Sequence, residues 1–116
     1  MGTSHRHDDM HAEWERAARD REAVAAAQAI IDYFNLNLAT GKKVWAWPTI
    51  EAALATKNHW LIVACDSCST ITDLDLTMKK RELSRDVRIA LRDIICLRCN
   101  GSGRPRIVAL QGFPTA

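Results

Sequence analysis

WLIVACDSC, residues 60–68, is the stretch on which the fold turns. Trp60 to Ala64 is a short unbroken apolar run rich in β-favouring side chains, the pattern of a buried strand. It runs straight into Cys65, and Cys68 follows after two intervening residues. A strand ending in Cys-x-x-Cys places two sulfurs on one tight turn. Thr70 to Leu76 (TITDLDL) then alternates, with Ile71, Leu74 and Leu76 against Thr72, Asp73 and Asp75 and one slip in phase near Asp73. That alternation predicts the return strand of a hairpin whose tip carries Cys65 and Cys68.

The pattern repeats once. All four cysteines fall into two Cys-x-x-Cys pairs, Cys65/Cys68 and Cys96/Cys99, separated by 27 residues. Two residues between cysteines let the turn aim both sulfurs at one ion. Zinc, with no geometric preference of its own, takes four thiolates tetrahedrally. The expected cofactor is therefore one structural Zn2+ held by Cys65, Cys68, Cys96 and Cys99. Four protein ligands leave no position for water, so this zinc is not expected to be catalytic. Its binding can contribute on the order of 10 kcal/mol to folding, a large share for a small core. Other chemistries use the same residues. A thioredoxin-like redox centre needs one pair in a strand–helix setting and leaves the second unexplained. Structural disulfides are disfavoured in a reducing compartment. An iron–sulfur cluster also takes four thiolates. His59 lies six residues before Cys65, too far along the strand to join its turn, and is expected as a packed or exposed histidine.

Working outward, Arg106 to Leu110 (RIVAL) reads as a third strand, and Lys79 to Ile94 as a helix inserted between the cysteine pairs. Upstream, Thr49 is a helix N-cap for the short helical run Ile50 to Thr56. Ile50 and Leu54 share one face of it. Trp45 and Trp47 are two apart before Pro48, so an extended chain sets both on one side. They are expected as packing residues, with base stacking as the other use. From Asp9 to Phe34 the chain is dense in alanine and free of Gly and Pro. Ala17, Val24, Ala27, Ile31 and Phe34 fall on one stripe. Glu15 and Arg19 make an i,i+4 pair. Asn35 to Gly41 is expected to end the helix, with Gly41 in a turn. The organisation is thus a polar tail over 1–9, an N-terminal helix over 10–40 and a sheet domain over 41–116. His5, His7 and His11 near the tail are expected to be solvated rather than ligating.

The net charge of +2 is unevenly spread. Residues 1–40 hold 4 Arg against 7 Asp/Glu, and residues 41–116 hold 12 Lys/Arg against 7 Asp/Glu. At 100° per residue, Arg81, Arg85, Arg88 and Arg92 fall within about 60° of one another on the inserted helix. Leu83, Val87, Ala90, Leu91 and Ile94 take the opposite side. Arg98, Arg104 and Arg106 extend the basic surface past the second cysteine pair. Guanidinium groups fork onto phosphate or carboxylate oxygens, so the row suits a DNA or RNA backbone or an acidic protein. An ordinary solvated face, with Glu82 pairing to Arg85, is the plain alternative.

Cys65-Asp66-Ser67-Cys68 and Cys96-Leu97-Arg98-Cys99 resemble the two knuckles of a zinc ribbon, over roughly Trp60 to Leu110. The resemblance implies one knuckle on each of two hairpins. Cys96 to Gly103 (CLRCNGSG) is also similar to one Cys-x-x-Cys-x-Gly-x-Gly repeat of DnaJ-type chaperones, with Gly101 and Gly103 easing the turn. The whole chain looks like short zinc-ribbon proteins of alphaproteobacteria, a resemblance that implies no activity.

No apolar run approaches the ~20 residues needed to cross a bilayer, and the polar N-terminus lacks the apolar segment of a secretory signal. A cytoplasmic location is expected. There is no Gly-rich phosphate loop and no leftover cysteine nucleophile, and Asp73/Asp75 read as solvent-facing strand acids, so no enzymatic activity is expected. The sequence thus predicts a small α+β fold: a three-stranded antiparallel zinc-ribbon sheet with an inserted helix, preceded by an N-terminal helix. The expected function is a nucleic-acid-associated binding module with a regulatory role, gripping phosphates through Arg81, Arg85, Arg88, Arg92, Arg98, Arg104 and Arg106. The alternative is a protein-binding adaptor or inhibitor acting through the N-terminal helix and the Trp45/Trp47 surface. Self-association through that helix is a further expectation.

Overall fold

The apolar run that opens the sequence argument forms the middle of the sheet. In the computed structural model, which describes residues 2–92, 94, 98 and 103–115 and side chains from Met10 onward, strand β1 spans Trp60–Cys65, β2 Ile71–Asp75 and β3 Pro105–Gln111. The order is β2-β1-β3, and both pairings are antiparallel. A central strand is covered on both faces, which is why β1 is continuously apolar and its residues from Leu61 to Cys65 are all buried. Leu61 faces Leu74 on one side and Leu110 on the other. Val108 is the extra residue where the β1–β3 register shifts between Ile62 and Val63, a bulge that twists the edge strand.

Helix α1 spans Gly2–Thr40 and α2 spans Ile50–Ala55. The Thr49 side chain accepts from the backbone N–H of Ala52 at 3.0 Å, the expected N-cap. Gly41 sits at φ 71°, the left-handed turn that ends α1. The core gathers Ile31 and Phe34 of α1, Ile50 and Ala53 of α2, Leu61 and Val63 of β1, Leu76, Val87 and Ala90, and Ile107 and Leu110 of β3. This is the α+β class expected, with the N-terminal helix packed against a three-stranded sheet.

The helix starts earlier than expected. It begins at Gly2, where a polar tail was expected, since no Pro or Gly interrupts residues 3–40. It ends at Thr40 before Gly41, within the expected stretch, and the Asn35 amide is occupied by tertiary bonds and does not turn back on its own backbone. At 1.5 Å per residue such a helix is about 58 Å long, most of the 71 Å long axis of the molecule. Between Met10 and Ala26 every side chain except Ala18 is exposed, so this half projects from the sheet domain. The expected Glu15–Arg19 pair is replaced by His11–Glu15 at 3.3 Å, with Arg19 Nε donating to the Glu15 carbonyl instead.

The inserted helix expected over 79–94 is broken. Two 3-10 helices, Leu76–Glu82 and Val87–Leu91, flank an irregular stretch at 83–86. The cause is tertiary. The first N–H groups of α2 have no partner within their own helix. Ile50 N–H donates to the Arg85 carbonyl at 2.9 Å and Glu51 N–H to the Leu83 carbonyl at 3.0 Å. Val87 N–H in turn donates to the Pro48 carbonyl. Asp86 adopts an extended conformation and caps the second 3-10 helix by accepting from Arg88 N–H. The apolar face survives only after the break: Val87 and Ala90 are buried, and Leu91 and Ile94 pack against the core from partly buried positions. Leu83, expected on the same face, is exposed because its carbonyl is drawn to Glu51 N–H in the irregular stretch.

Candidate metal knuckle and arginine groove

β1 delivers Cys65 to the hairpin tip. Cys65 N–H donates to the Thr70 carbonyl at 3.0 Å, and Ser69 N–H donates back to the Cys65 carbonyl at 2.8 Å. Ser69 takes a left-handed conformation (φ 59°), which closes the turn. Cys65 is buried and Cys68 is exposed, with the Cys68 sulfur 3.0 Å from the Thr70 hydroxyl. The turn is tied to the start of β3. Asp66 N–H donates to the Arg104 carbonyl at 3.0 Å, and the Asp66 carboxylate accepts from Arg104 N–H at 2.7 Å.

Gly103 packs directly on this knuckle. A Cβ there would collide with the Cys65 sulfur and lie 3.0 Å from Ser67 Cβ. Ile94 and Gly103 line one small cavity together with Cys65 and Thr70. Cys96 and Cys99 lie outside the described residues, as do Asp93 and Gly101. Among the described residues, no three His, Cys, Asp or Glu side chains gather as metal ligands. The chain next described on either side of the second pair thus lies against the first. Two thiol side chains on one closed turn are a donor set suited to zinc.

Three of the four arginines expected on a helix face do converge, although the helix is absent. Arg85, Arg88 and Arg92 line an open groove of about 300 Å³ with Asp86 and Ile89. Arg88 forks onto Asp86, with Nε to Oδ1 at 3.0 Å and Nη2 to Oδ2 at 2.7 Å. That hydrogen-bonded guanidinium holds the Asp86 carboxyl below the usual carboxylate range, and the carboxylate raises Arg88 in return. Three guanidinium groups and one carboxylate leave the groove strongly positive. Arg81, on the first 3-10 helix, and Arg98, Arg104 and Arg106 are exposed but do not line it. The expected Glu82–Arg85 ion pair does not form. Glu82 Oε2 is buried without a hydrogen-bond partner among the described residues.

The two tryptophans expected on one side are split. Trp47 is partly buried, edge-on to Phe34 with ring centroids 5.5 Å apart. The Arg88 guanidinium carbon lies 4.8 Å from its ring centroid, so Trp47 backs one of the arginines of the groove without lining the groove itself. Trp45 is 79% exposed, with Lys43 Nζ 4.4 Å from its centroid. Sequence reasoning missed both cation–π contacts and the Asp86 cap. The Asp-x-Arg spacing was legible as an Asx turn, but mid-helix placement concealed it.

The strand acids have structural roles. Asp73 accepts from Thr115 N–H and hydroxyl at 3.0 and 2.7 Å. Asp75 accepts from the Thr77 hydroxyl at 2.7 Å, from Thr77 N–H and from His59 Nδ1 at 3.1 Å. The Thr77 hydroxyl is the main cause that lowers the Asp75 pKa, His59 adding to it. His59 thus packs beside Asp75 and away from the knuckle turn.

Comparison with protein-family models, curated proteins and solved structures finds no match for the chain. No helix among the described residues is long and apolar enough to cross a membrane.

Proposed function

We propose that this chain is a nucleic-acid-associated binding module, built on one structural zinc ion and gripping phosphates through arginines. The convergence of Arg85, Arg88 and Arg92 on one groove carries the reading. Asp86 and Trp47 hold Arg88 in a fixed orientation, which lowers the entropy lost when a phosphate docks. Arg85 and Arg92 form no ion pair among the described residues and supply the charge that Asp86 does not offset. Phosphate contacts of this kind position a polyanion without reading its sequence. Zinc on Cys65, Cys68, Cys96 and Cys99 would fasten the two cysteine turns together, and nothing in the reading makes the protein a catalyst. The placement of Ile94 and Gly103 beside Cys65 supports that ligand set.

The test is a binding titration of a short oligonucleotide at several salt concentrations. Two or three phosphate contacts give a log–log salt slope of about −2. Arg85→Glu with Arg92→Glu should abolish binding at low salt while sparing the Asp86–Arg88 clip. Undiminished binding by that double variant would overturn the assignment.

A second reading, an adaptor or self-associating chain, has its own observation. Met10 and Val24 lie at seven-residue steps before Ile31 and Leu38, so the stripe that docks on the sheet continues along the projecting half of α1. There Met10 is 69% and Trp14 76% exposed. Under this reading the full chain is larger in light scattering than a chain lacking residues 1–24. Equal monomeric masses at high concentration reject self-association.

A further inference from the structure

We propose that the nucleic acid taken by this surface is single-stranded, with a base stacked on Trp45 while its phosphates enter the arginine groove. The inference rests on the phosphate-gripping reading above and adds the substrate class. Trp45 is 79% exposed, which leaves a large apolar ring in water where a stacked base would cover it. Lys43 lies over the ring at 4.4 Å and keeps a positive charge beside it. Trp47, two residues on, packs under Arg88, one of the groove-lining arginines, and the Cα atoms of Trp45 and Trp47 are at most about 7 Å apart along the chain. The segment that carries both runs into residues fastened beside the arginines: Val87 N–H donates to the Pro48 carbonyl, and Thr49 bridges Asp86.

The result is a row along the chain of two cation–aromatic pairs, Lys43 with the exposed Trp45 and Arg88 with the partly buried Trp47. A duplex hides its base faces within the stack and offers only phosphates to such a row. An unpaired strand offers both, and every base has a face to stack. The lever is therefore the base itself, at constant phosphate charge.

The full chain, loaded with zinc, is titrated at low salt with an oligothymidylate, an abasic strand of equal length and a duplex. The oligothymidylate should bind roughly ten-fold more tightly than the abasic strand. Trp45→Ala should erase that preference and leave abasic binding unchanged, and Trp45→Phe should keep most of it. Because the ring is exposed, these variants fold as the parent does. Equal affinity for thymidylate and abasic strands overturns the inference and leaves phosphate gripping intact. An equal loss on both strands in Trp45→Ala also overturns it, since Trp45 would then act only by shaping the groove. Failure to bind any of the three probes overturns both this inference and the reading beneath it.

Discussion

Replacing Asn35 tests the attachment of the helix to the sheet most directly. β3 is an edge strand, and the outward N–H and C=O of Leu110 need partners. Asn35 supplies both: its Nδ2 donates to the Leu110 carbonyl and its Oδ1 accepts from the Leu110 N–H, each at 2.8 Å. One side chain thus stands in for a fourth strand. Asn35→Ala removes both bonds and leaves two partly buried backbone groups unpaired. An unsatisfied buried group costs about 1–3 kcal/mol, and water regains part of that at a half-buried site, so the expected loss is about 2–3 kcal/mol. With a urea dependence of about 1–3 kcal/mol per molar, the unfolding midpoint should fall by roughly 1 M or more. Tryptophan fluorescence of the zinc-loaded chain reads the transition through Trp47 and Trp60. Asn35→Asp sharpens the test. Its carboxylate still accepts from the Leu110 N–H but sets a second oxygen against the Leu110 carbonyl. That raises the folded pKa above the unfolded value, so this variant should gain stability relative to parent as pH falls through the folded pKa, when protonation restores a donor. A midpoint for Asn35→Ala within about 0.3 M of the parent would refute the argument that these bonds anchor α1.

Gly103→Ala should destabilise the chain by about 1–3 kcal/mol and weaken zinc retention against a chromophoric chelator, because the new methyl displaces the Cys65 sulfur. Unchanged melting and chelator curves would show that Gly103 and the knuckle move independently. Removing zinc from the parent with a strong chelator should lower thermal stability far more than any surface substitution, as calorimetry would read; an unchanged melting temperature speaks against a structural metal. Asp75 and Asp86 both have lowered folded pKa values. Their contribution is therefore present above the unfolded carboxylate range and is lost as pH falls through the folded values. Asp75→Asn with Asp86→Asn should flatten the acid limb of a stability–pH curve, and an unaltered limb would discount both carboxylates.

Several residues read for local pattern came out where the pattern put them. WLIVAC is the central strand because only a strand covered on both faces tolerates six apolar residues in succession. Thr49 caps α2, Gly41 turns left-handed after α1, and Ile31 and Phe34 lie on its core face, each from information held within one turn of chain. The Cys65/Cys68 turn was legible in the same way. The arginine groove was legible in composition but not in construction, since Arg85, Arg88 and Arg92 meet across a kink and not along a helix face.

What sequence alone determined was the central strand, the cap of α2 and the core face of α1 at Ile31 and Phe34. The apolar period did not fix which side is dry elsewhere, since Val24, Ile71 and Leu83 are exposed in spite of it. What only the tertiary structure decided was where backbone and amide groups find their partners. Leu83 and Arg85 give their carbonyls to α2, so the stretch expected as one helix breaks. Asn35 spends its amide on Leu110, so the last turns of α1 are fastened to the edge strand. Trp45 and Trp47 part company because Phe34 and Arg88 claim only one of them. Side-chain periodicity is a local quantity, whereas a hydrogen-bond donor accepts a partner from any point in the chain, and the final geometry of this surface depends on the second.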